Sequence, residues 1–367
     1  MIKILGLYPM NGNGGIASWT KKYLSTFPDE EYVIVPVNIA PDKDFTKYSG
    51  LDRIWYGTKA ILRIFLDVKR TLKANPDISI MHITTSGGFG ALRDHLVMRL
   101  CHKHHVKTIM HCRFGTIKEF YEGSGLCSRY FRKNVYQYDQ TWVLDRRSTT
   151  FLKSIEEIKE KIYLTPNSIE VPDDIEIRPK EYKKIGFIGN IVPTKGIFEL
   201  VQAVVSLENS ISLYIAGPGS DEDIKRLKLM AGDKMDKTIF LLGKLPNSEA
   251  VKMMESMDIL CLPTYYPGEA FPISILEAMS RGKLVISCPR AAIPDMLTSL
   301  DGSRCGVLVP EKDSQAIEKA VEWCQEHIEE ADDMCKKAYD KVRTCYRKEI
   351  VYDIYRNNYL KLLKRDY

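Results

Sequence analysis

Two glutamates stand eight positions apart in the segment Gly268-Glu269-Ala270-Phe271-Pro272-Ile273-Ser274-Ile275-Leu276-Glu277-Ala278-Met279. Pro272 suits the first residue of a helix, because the N–H it lacks would be unpaired there anyway. Upstream, Asp258-Ile259-Leu260-Cys261-Leu262 is a short apolar run that reads as a buried strand. The order strand, loop, helix then puts Glu269 in the loop and Glu277 on the helix's early turns. N–H groups left over at a helix start can hold an anion. A carboxylate beside them suits sugar hydroxyls, which donate to carboxylate oxygens. The chemistry implied is recognition of a molecule that carries both phosphate and sugar. The same spacing also fits two acids that merely favour the positive end of a helix.

Glycine-bearing turns after other apolar runs extend the candidate set. In Asn11-Gly12-Asn13-Gly14-Gly15-Ile16-Ala17, glycines let the backbone approach a phosphate and point N–H groups at it. Gly12, Gly14 and Ala17 fit the looser G-x-G-x-x-G/A spacing of dinucleotide binders. The acid expected at the end of the second strand is missing, since Asn38 follows Val37, which disfavours a nicotinamide dehydrogenase. In Gly186-Phe187-Ile188-Gly189-Asn190-Ile191-Val192-Pro193-Thr194-Lys195-Gly196, Lys195 can reach a diphosphate as a mobile point charge. The turn Ala216-Gly217-Pro218-Gly219-Ser220 precedes Asp221-Glu222-Asp223, acids that suit a first helical turn better than a metal.

Six of the seven histidines fall between His82 and His111. His102, His104 and His105 sit at a basic helix end, which argues against a metal site. His111 ends a strand, where it can donate to a sugar hydroxyl or move a proton, with Arg113 beside it to hold an anion. A satisfied core histidine is the alternative. The run Leu126-Cys127-Ser128-Arg129-Tyr130-Phe131-Arg132-Lys133 interleaves basic and aromatic residues, as at a membrane surface or on a snorkelling helix face. No basic cluster is long enough to indicate nucleic-acid binding.

These residues need a scaffold, and 367 residues suffice for two domains, each with its own core. A hydrophobic content of 44% with 28% charged residues is that of a soluble globular protein. No stretch reaches bilayer-spanning length, and the opening Met1–Leu7 run is too short for a secretory signal. Nine cysteines without C-x-x-C spacing read as reduced thiols of a cytosolic protein. Residues 1–170 hold 25 Lys and Arg against 17 Asp and Glu, while the remainder holds 28 against 31. A basic first half can face anionic lipid or an anionic acceptor.

Strands are expected at Lys3–Tyr8, Tyr32–Val37, Ile78–Ile83, Lys107–His111, Gln140–Leu144 and Ile162–Thr165. A second series is expected at 184–189, Ser212–Ala216, Thr238–Leu242, Asp258–Leu262, Leu284–Ser287 and Gly306–Val309. Amphipathic stretches such as Thr58–Leu72 and Gly90–Lys103 alternate with them, which predicts α/β architecture with parallel sheets. The fold expected is two doubly wound Rossmann-like domains facing a cleft, at 1–168 and 183–350. A linker rich in Pro and acids spans 169–182, and a final helix, 351–367, packs back on the first domain.

Together, Glu269-x7-Glu277, the Gly14-Gly15 turn, Lys195-Gly196 and His111 resemble the retaining GT-B glycosyltransferases of family 4, the "glycosyl transferases group 1" class. The resemblance spans nearly the whole chain and is strongest from Lys184 to Pro310. It implies that Glu277 binds the donor ribose, while Glu269 and the backbone of Ala270, Phe271 and Pro272 hold the transferred sugar. Ile273, Gly217 and Asn190 fall in the same donor-binding set. Lys195 and the Gly14-Gly15 amides would neutralise the diphosphate, and Gly243-Lys244-Leu245 would meet the base edge. His111 would touch the sugar near its reacting carbon, giving a catalytic set of Glu269, His111 and Lys195. Arg113 and Glu119 are assigned to the acceptor side.

Neither metal nor cofactor is implied, the nucleotide-diphosphate sugar being the donor substrate. The first domain would take the saccharide or lipid-linked acceptor and the second the donor. The segment His111–Tyr121 looks like members that build bacterial surface polysaccharides, and the expected setting is cytoplasmic, peripheral at the inner face of the membrane. One departure stands out: the family usually has an arginine five residues before Lys195, where this chain has Asn190. Such a cation is worth on the order of 2–4 kcal/mol to a departing phosphate. The alternatives are a sugar-nucleotide epimerase on the same fold and a catalytically inactive sugar-nucleotide-binding protein.

Overall fold

The computed structural model describes residues 1–12, 15–40, 50–173, 175, 177, 181–207 and 210–364. It divides into two compact units, Met1–Pro166 with Tyr352–Tyr367, and Asn167–Val351. The first unit holds strands β1 (Ile2–Tyr8), β2 (Tyr32–Asn38), β3 (Ile80–Thr85), β4 (Lys107–Cys112), β5 (Gln140–Val143) and β6 (Ile162–Leu164). They form one parallel sheet in the order β2-β1-β3-β4-β5-β6. Every residue of β3 is buried, as expected for a parallel strand covered by helices on both faces.

The two faces of this sheet differ in chemistry. On one, Leu5, Leu7, Met81, Ile83 and Met110 pack with Ile64, Val68, Val97 and Met98 in an aliphatic core. On the other, helices Gly15–Thr26 and Lys348–Lys364 bring Trp19, Tyr23, Tyr355 and Tyr359 against His82, His111 and Trp142. The final helix thus places its residues from Tyr352 onward in the first unit.

The second unit holds β7 (Lys184–Ile188), β8 (Ser212–Ala216), β9 (Ile239–Gly243), β10 (Ile259–Leu262), β11 (Leu284–Ser287) and β12 (Val307–Leu308). Their order is β12-β11-β10-β7-β8-β9, so the winding direction reverses between β7 and β10. Each of the twelve apolar runs expected to be strands forms one, with ends shifted by at most two residues. Two glycines close the strand ends around the reversal. A Cβ on Gly196, whose φ is +72°, would lie 2.1 Å from the Pro263 carbonyl oxygen. One on Gly217 would lie 1.8 Å from that of Gly189.

Described residues at both ends of the segment expected to be a linker are fastened to the second unit. Ile169 N–H donates to the Tyr346 carbonyl at 2.9 Å, and Tyr339 Oη donates to that of Pro172 at 2.7 Å. Arg347 pairs with Asp173 at 2.7 Å, and the buried Tyr182 hydroxyl donates to Asp332 at 2.6 Å. All nine cysteines are free thiols, and seven are buried. No helix among the described residues is long and apolar enough to cross a membrane.

Candidate active site

In a doubly wound sheet, ligands bind outside the carboxyl ends of the strands where the winding reverses. In the second unit that point lies between β7 and β10, and the loops leaving these strands carry Lys195 and Glu269. Lys195 ends the single 3-10 turn Pro193–Lys195, and Gly196 in its left-handed conformation then starts helix Ile197–Ser206. The Lys195 ammonium donates to Glu269 Oε2 in an ion pair, with both side chains largely buried. Thr264 Oγ1 donates to the same oxygen at 3.2 Å and accepts from the Tyr266 N–H at 3.2 Å. The Tyr266 ring lies 5.4 Å from the ammonium, and Tyr265 N–H donates to the Thr194 carbonyl at 2.9 Å. Glu269 Oε1 has no hydrogen bond among the described residues, so one carboxylate oxygen anchors the side chain and the other is available.

The loop after Glu269 is fixed by its own backbone. The Ala270 carbonyl accepts from Ala292 N–H at 3.1 Å, and that of Phe271 from Asn167 Nδ2 at 2.8 Å. The Phe271 ring meets Tyr346 edge-on at 5.3 Å. Pro272, expected as the first helical residue, sits one place outside helix Ile273–Met279 with an extended ψ of 121°. Glu277 is on that helix and half-buried. Asn190 and Lys244 are exposed, and Leu245 packs against the cluster of Ala216, Met253 and Met257. Arg290 reaches the Tyr265 carbonyl at 3.2 Å while paired with Glu311 at 2.8 Å, which places a cation on the same loop. Thr264 and Tyr266 were missed in the sequence, although their place between a strand end and Glu269 was the signal available.

Residues 170–341 match the family described as "Glycosyl transferases group 1". The second unit is a glycosyl transferases group 1 domain. Among relatives, the phosphatidyl-myo-inositol mannosyltransferase of Mycolicibacterium smegmatis is 26% identical over 173 residues, covering 43% of each chain. The amylovoran biosynthesis glycosyltransferase AmsK of Erwinia amylovora is 24% identical over 204 residues, 53% of this chain and 49% of AmsK. The chain thus spans less than half the length of these curated relatives. Anabaena Alr3699/HepE, solved in complex with UDP, superposes with a TM-score of 0.69 at 14% identity, covering 98% of this chain and 99% of that one. Two parallel six-stranded sheets with flanking helices make the fold GT-B.

The candidates outside the group 1 domain are placed differently. Gly14 lies outside the described residues, and Gly15 opens helix Gly15–Thr26 at the surface. His111 is fully buried: its Nδ1 is 3.1 Å from His82 Nε2, and its Nε2 is 3.3 Å from Arg113 Nη1. His82 Nδ1 is in turn 2.7 Å from Tyr359 Oη, which is 2.7 Å from Tyr23 Oη. A guanidinium only donates, so His111 Nε2 accepts and its proton is on Nδ1. That proton points at His82 Nε2, which puts the His82 proton on Nδ1, facing Tyr359. Burial first, and then the Arg113 charge, hold both imidazoles well below the usual histidine range, so both are neutral.

These contacts satisfy His111 within the core of the first unit. The physical reason is the aromatic cover that helices Gly15–Thr26 and Lys348–Lys364 lay over that face of β4. Arg113 is buried with it, its guanidinium 4.1 Å from the Trp19 ring centre, and burial brings it down to about 10. Arg113, expected on the acceptor side, thus lies under the same aromatic cover as His111. Glu119 is exposed and pairs with Arg147 at 2.8 Å. In helix Leu126–Gln137, Ser128 and Phe131 are buried and Arg132 donates to the Gly123 carbonyl at 2.7 Å, while Leu126, Arg129 and Lys133 are exposed.

Proposed function

We propose that the chain is a retaining glycosyltransferase that moves a sugar from a nucleoside diphosphate to an acceptor hydroxyl without a bound metal. The observation that carries this reading is the meeting of Lys195 and Glu269 across the β7/β10 reversal, the crevice where such a sheet takes its ligand. With no donor bound, Glu269 neutralises Lys195. An arriving diphosphate offers more charge and more acceptor oxygens, and draws the ammonium to itself. Glu269 stays oriented by Thr264 and turns its carboxylate to the sugar hydroxyls. Glu277 holds the ribose, and Lys244 and Leu245 meet the base edge. Gly217, Asn190, Ile273 and the backbone of Ala270, Phe271 and Pro272 line the rest of the donor site.

In the transfer step the bond from the sugar's anomeric carbon to the diphosphate oxygen breaks, and the electron pair leaves with that oxygen. The acceptor oxygen bonds to the same carbon on the same face, and its proton passes to a phosphate oxygen. Lys195 stabilises the departing charge, an effect on the order of 2–4 kcal/mol. Glu269 positions the donor and forms no covalent bond. The acceptor is a saccharide or lipid-linked glycan of bacterial surface polysaccharide or glycoconjugate synthesis, with Glu119 on its side of the site. The resemblance of His111–Tyr121 and relatives such as AmsK support that choice. The setting is the cytosol, with peripheral contact at the inner face of a membrane through the basic first half.

Asn190 favours a second reading, a catalytically inactive sugar-nucleotide-binding protein, because it stands exposed where the family has an arginine. Release of free nucleoside diphosphate, followed across a panel of sugar nucleotides with an acceptor extract, separates the two. Acceptor-dependent release supports the transferase. Tight donor binding with no turnover for any donor supports the inactive protein and contradicts the first reading.

A further inference from the structure

Helix Gly50–Ala74 covers its sheet with Ile64, Val68 and Leu72 and turns the opposite face outward. On that face Trp55 is 59% exposed, Leu62 57% and Leu66 40%. Helical spacing sets Lys59, Lys69, Arg70 and Lys73 along the same stripe, and all four are exposed. The Lys59 ammonium lies 4.8 Å from the Trp55 ring centre. Asp67 lies to one side of the stripe, within 3.8 Å of Arg63 and 3.7 Å of Arg70.

An apolar and aromatic stripe bordered by cations is matched by an anionic lipid surface. Leucines enter the acyl boundary, tryptophan rests at headgroup level, and lysine stems lie along the apolar zone with their ammonium groups on the phosphates. The basic excess of residues 1–170 adds attraction of the same sign. We propose that the outward face of helix Gly50–Ala74 docks this chain on a membrane rich in anionic phospholipid. This gives the peripheral contact of the proposed function a defined surface. Its failure is readable apart from that function, because donor binding is measured without lipid.

The test is co-sedimentation of the full chain with phosphatidylcholine vesicles, with and without phosphatidylglycerol. The chain should sediment only with phosphatidylglycerol, and less so at high salt. Tryptophan emission should shift to the blue and the shift should vanish in a Trp55→Phe variant, since Trp19 and Trp142 are already buried and Trp323, half-buried, stacks on His327 in the second unit. The Leu62→Glu/Leu66→Glu variant should lose at least about ten-fold in vesicle partition while its melting temperature and donor binding stay unchanged. Three outcomes overturn the proposal. They are no sedimentation with either vesicle, equal partition of the variant, or self-association of the wild type that the variant abolishes without any vesicle binding. The last would make this face a contact between copies of the chain.

Discussion

Glu269 Oε2 accepts from both Lys195 and Thr264, and this shared acceptance sets what each residue can do. A carboxylate held by a neutral hydroxyl can release a cation and still keep its direction, which suits a group that must meet a sugar only after the diphosphate has arrived. Glu277, eight positions on, lies on helix Ile273–Met279, and the proposed function assigns it a different part of the donor. Glu277→Ala should therefore weaken binding of the matching nucleoside diphosphate by roughly 10–100-fold, the range of a lost hydrogen bond to a charged group. Calorimetric titration reads it, and an unchanged affinity would remove Glu277 from the ribose. The Glu-x7-Glu pair and Lys195 were legible as residues because their loops follow unmistakable apolar strands. That Lys195 and Glu269 meet was not legible, since 74 residues separate them. The burial of His111 was not legible for a related reason. A strand end announces exposure, but the cover over it comes from Tyr355 and Tyr359, far along the chain.

At the scale of elements, the β7 and β10 loops approach closely enough that position 196 has no room for a side chain. Gly196→Ala combines a left-handed φ with a Cβ against the Pro263 carbonyl, so it should cost more than about 2 kcal/mol in denaturant unfolding. An alanine variant as stable as the wild type would contradict this packing. The final helix makes a second prediction, through His82. Burial lowers the proton affinity of His82 and His111 in the folded state, while the unfolded chain protonates them near the ordinary 6.5. Above that pH neither state binds the extra protons and stability is unaffected. Below it the unfolded state takes them up, so stability should fall by up to about 1.4 kcal/mol per histidine per pH unit. Thermal melting between pH 8 and pH 5 checks this, and the low-pH loss should shrink in a His82→Asn variant. The strands themselves were legible to within two residues because fully buried parallel strands are continuous apolar runs. The hold of the second unit on residues 169–173 was not, since Pro and acids signal a loop without showing that Tyr339 and Arg347 fasten it.

For the whole molecule, the two units differ in chemistry as well as sequence position. The first carries the basic excess and an aromatic, histidine-bearing sheet face, and the second carries the group 1 domain with its ion pair at the winding reversal. The GT-B fold follows from two parallel sheets whose orders each reverse once, which alternating apolar runs predict without specifying where the reversal falls. The account depends most on the reversal between β7 and β10 being the donor site and on Lys195 stabilising the leaving diphosphate. The most direct test measures nucleoside diphosphate release from the preferred sugar nucleotide by wild type, Lys195→Ala and Glu269→Gln, with folding checked by melting temperature. The account predicts acceptor-dependent turnover in the wild type and a loss of about 10²–10³-fold in kcat for Lys195→Ala. It also predicts a loss for Glu269→Gln at near-normal nucleotide affinity. Wild-type turnover that persists unchanged in both variants would contradict it.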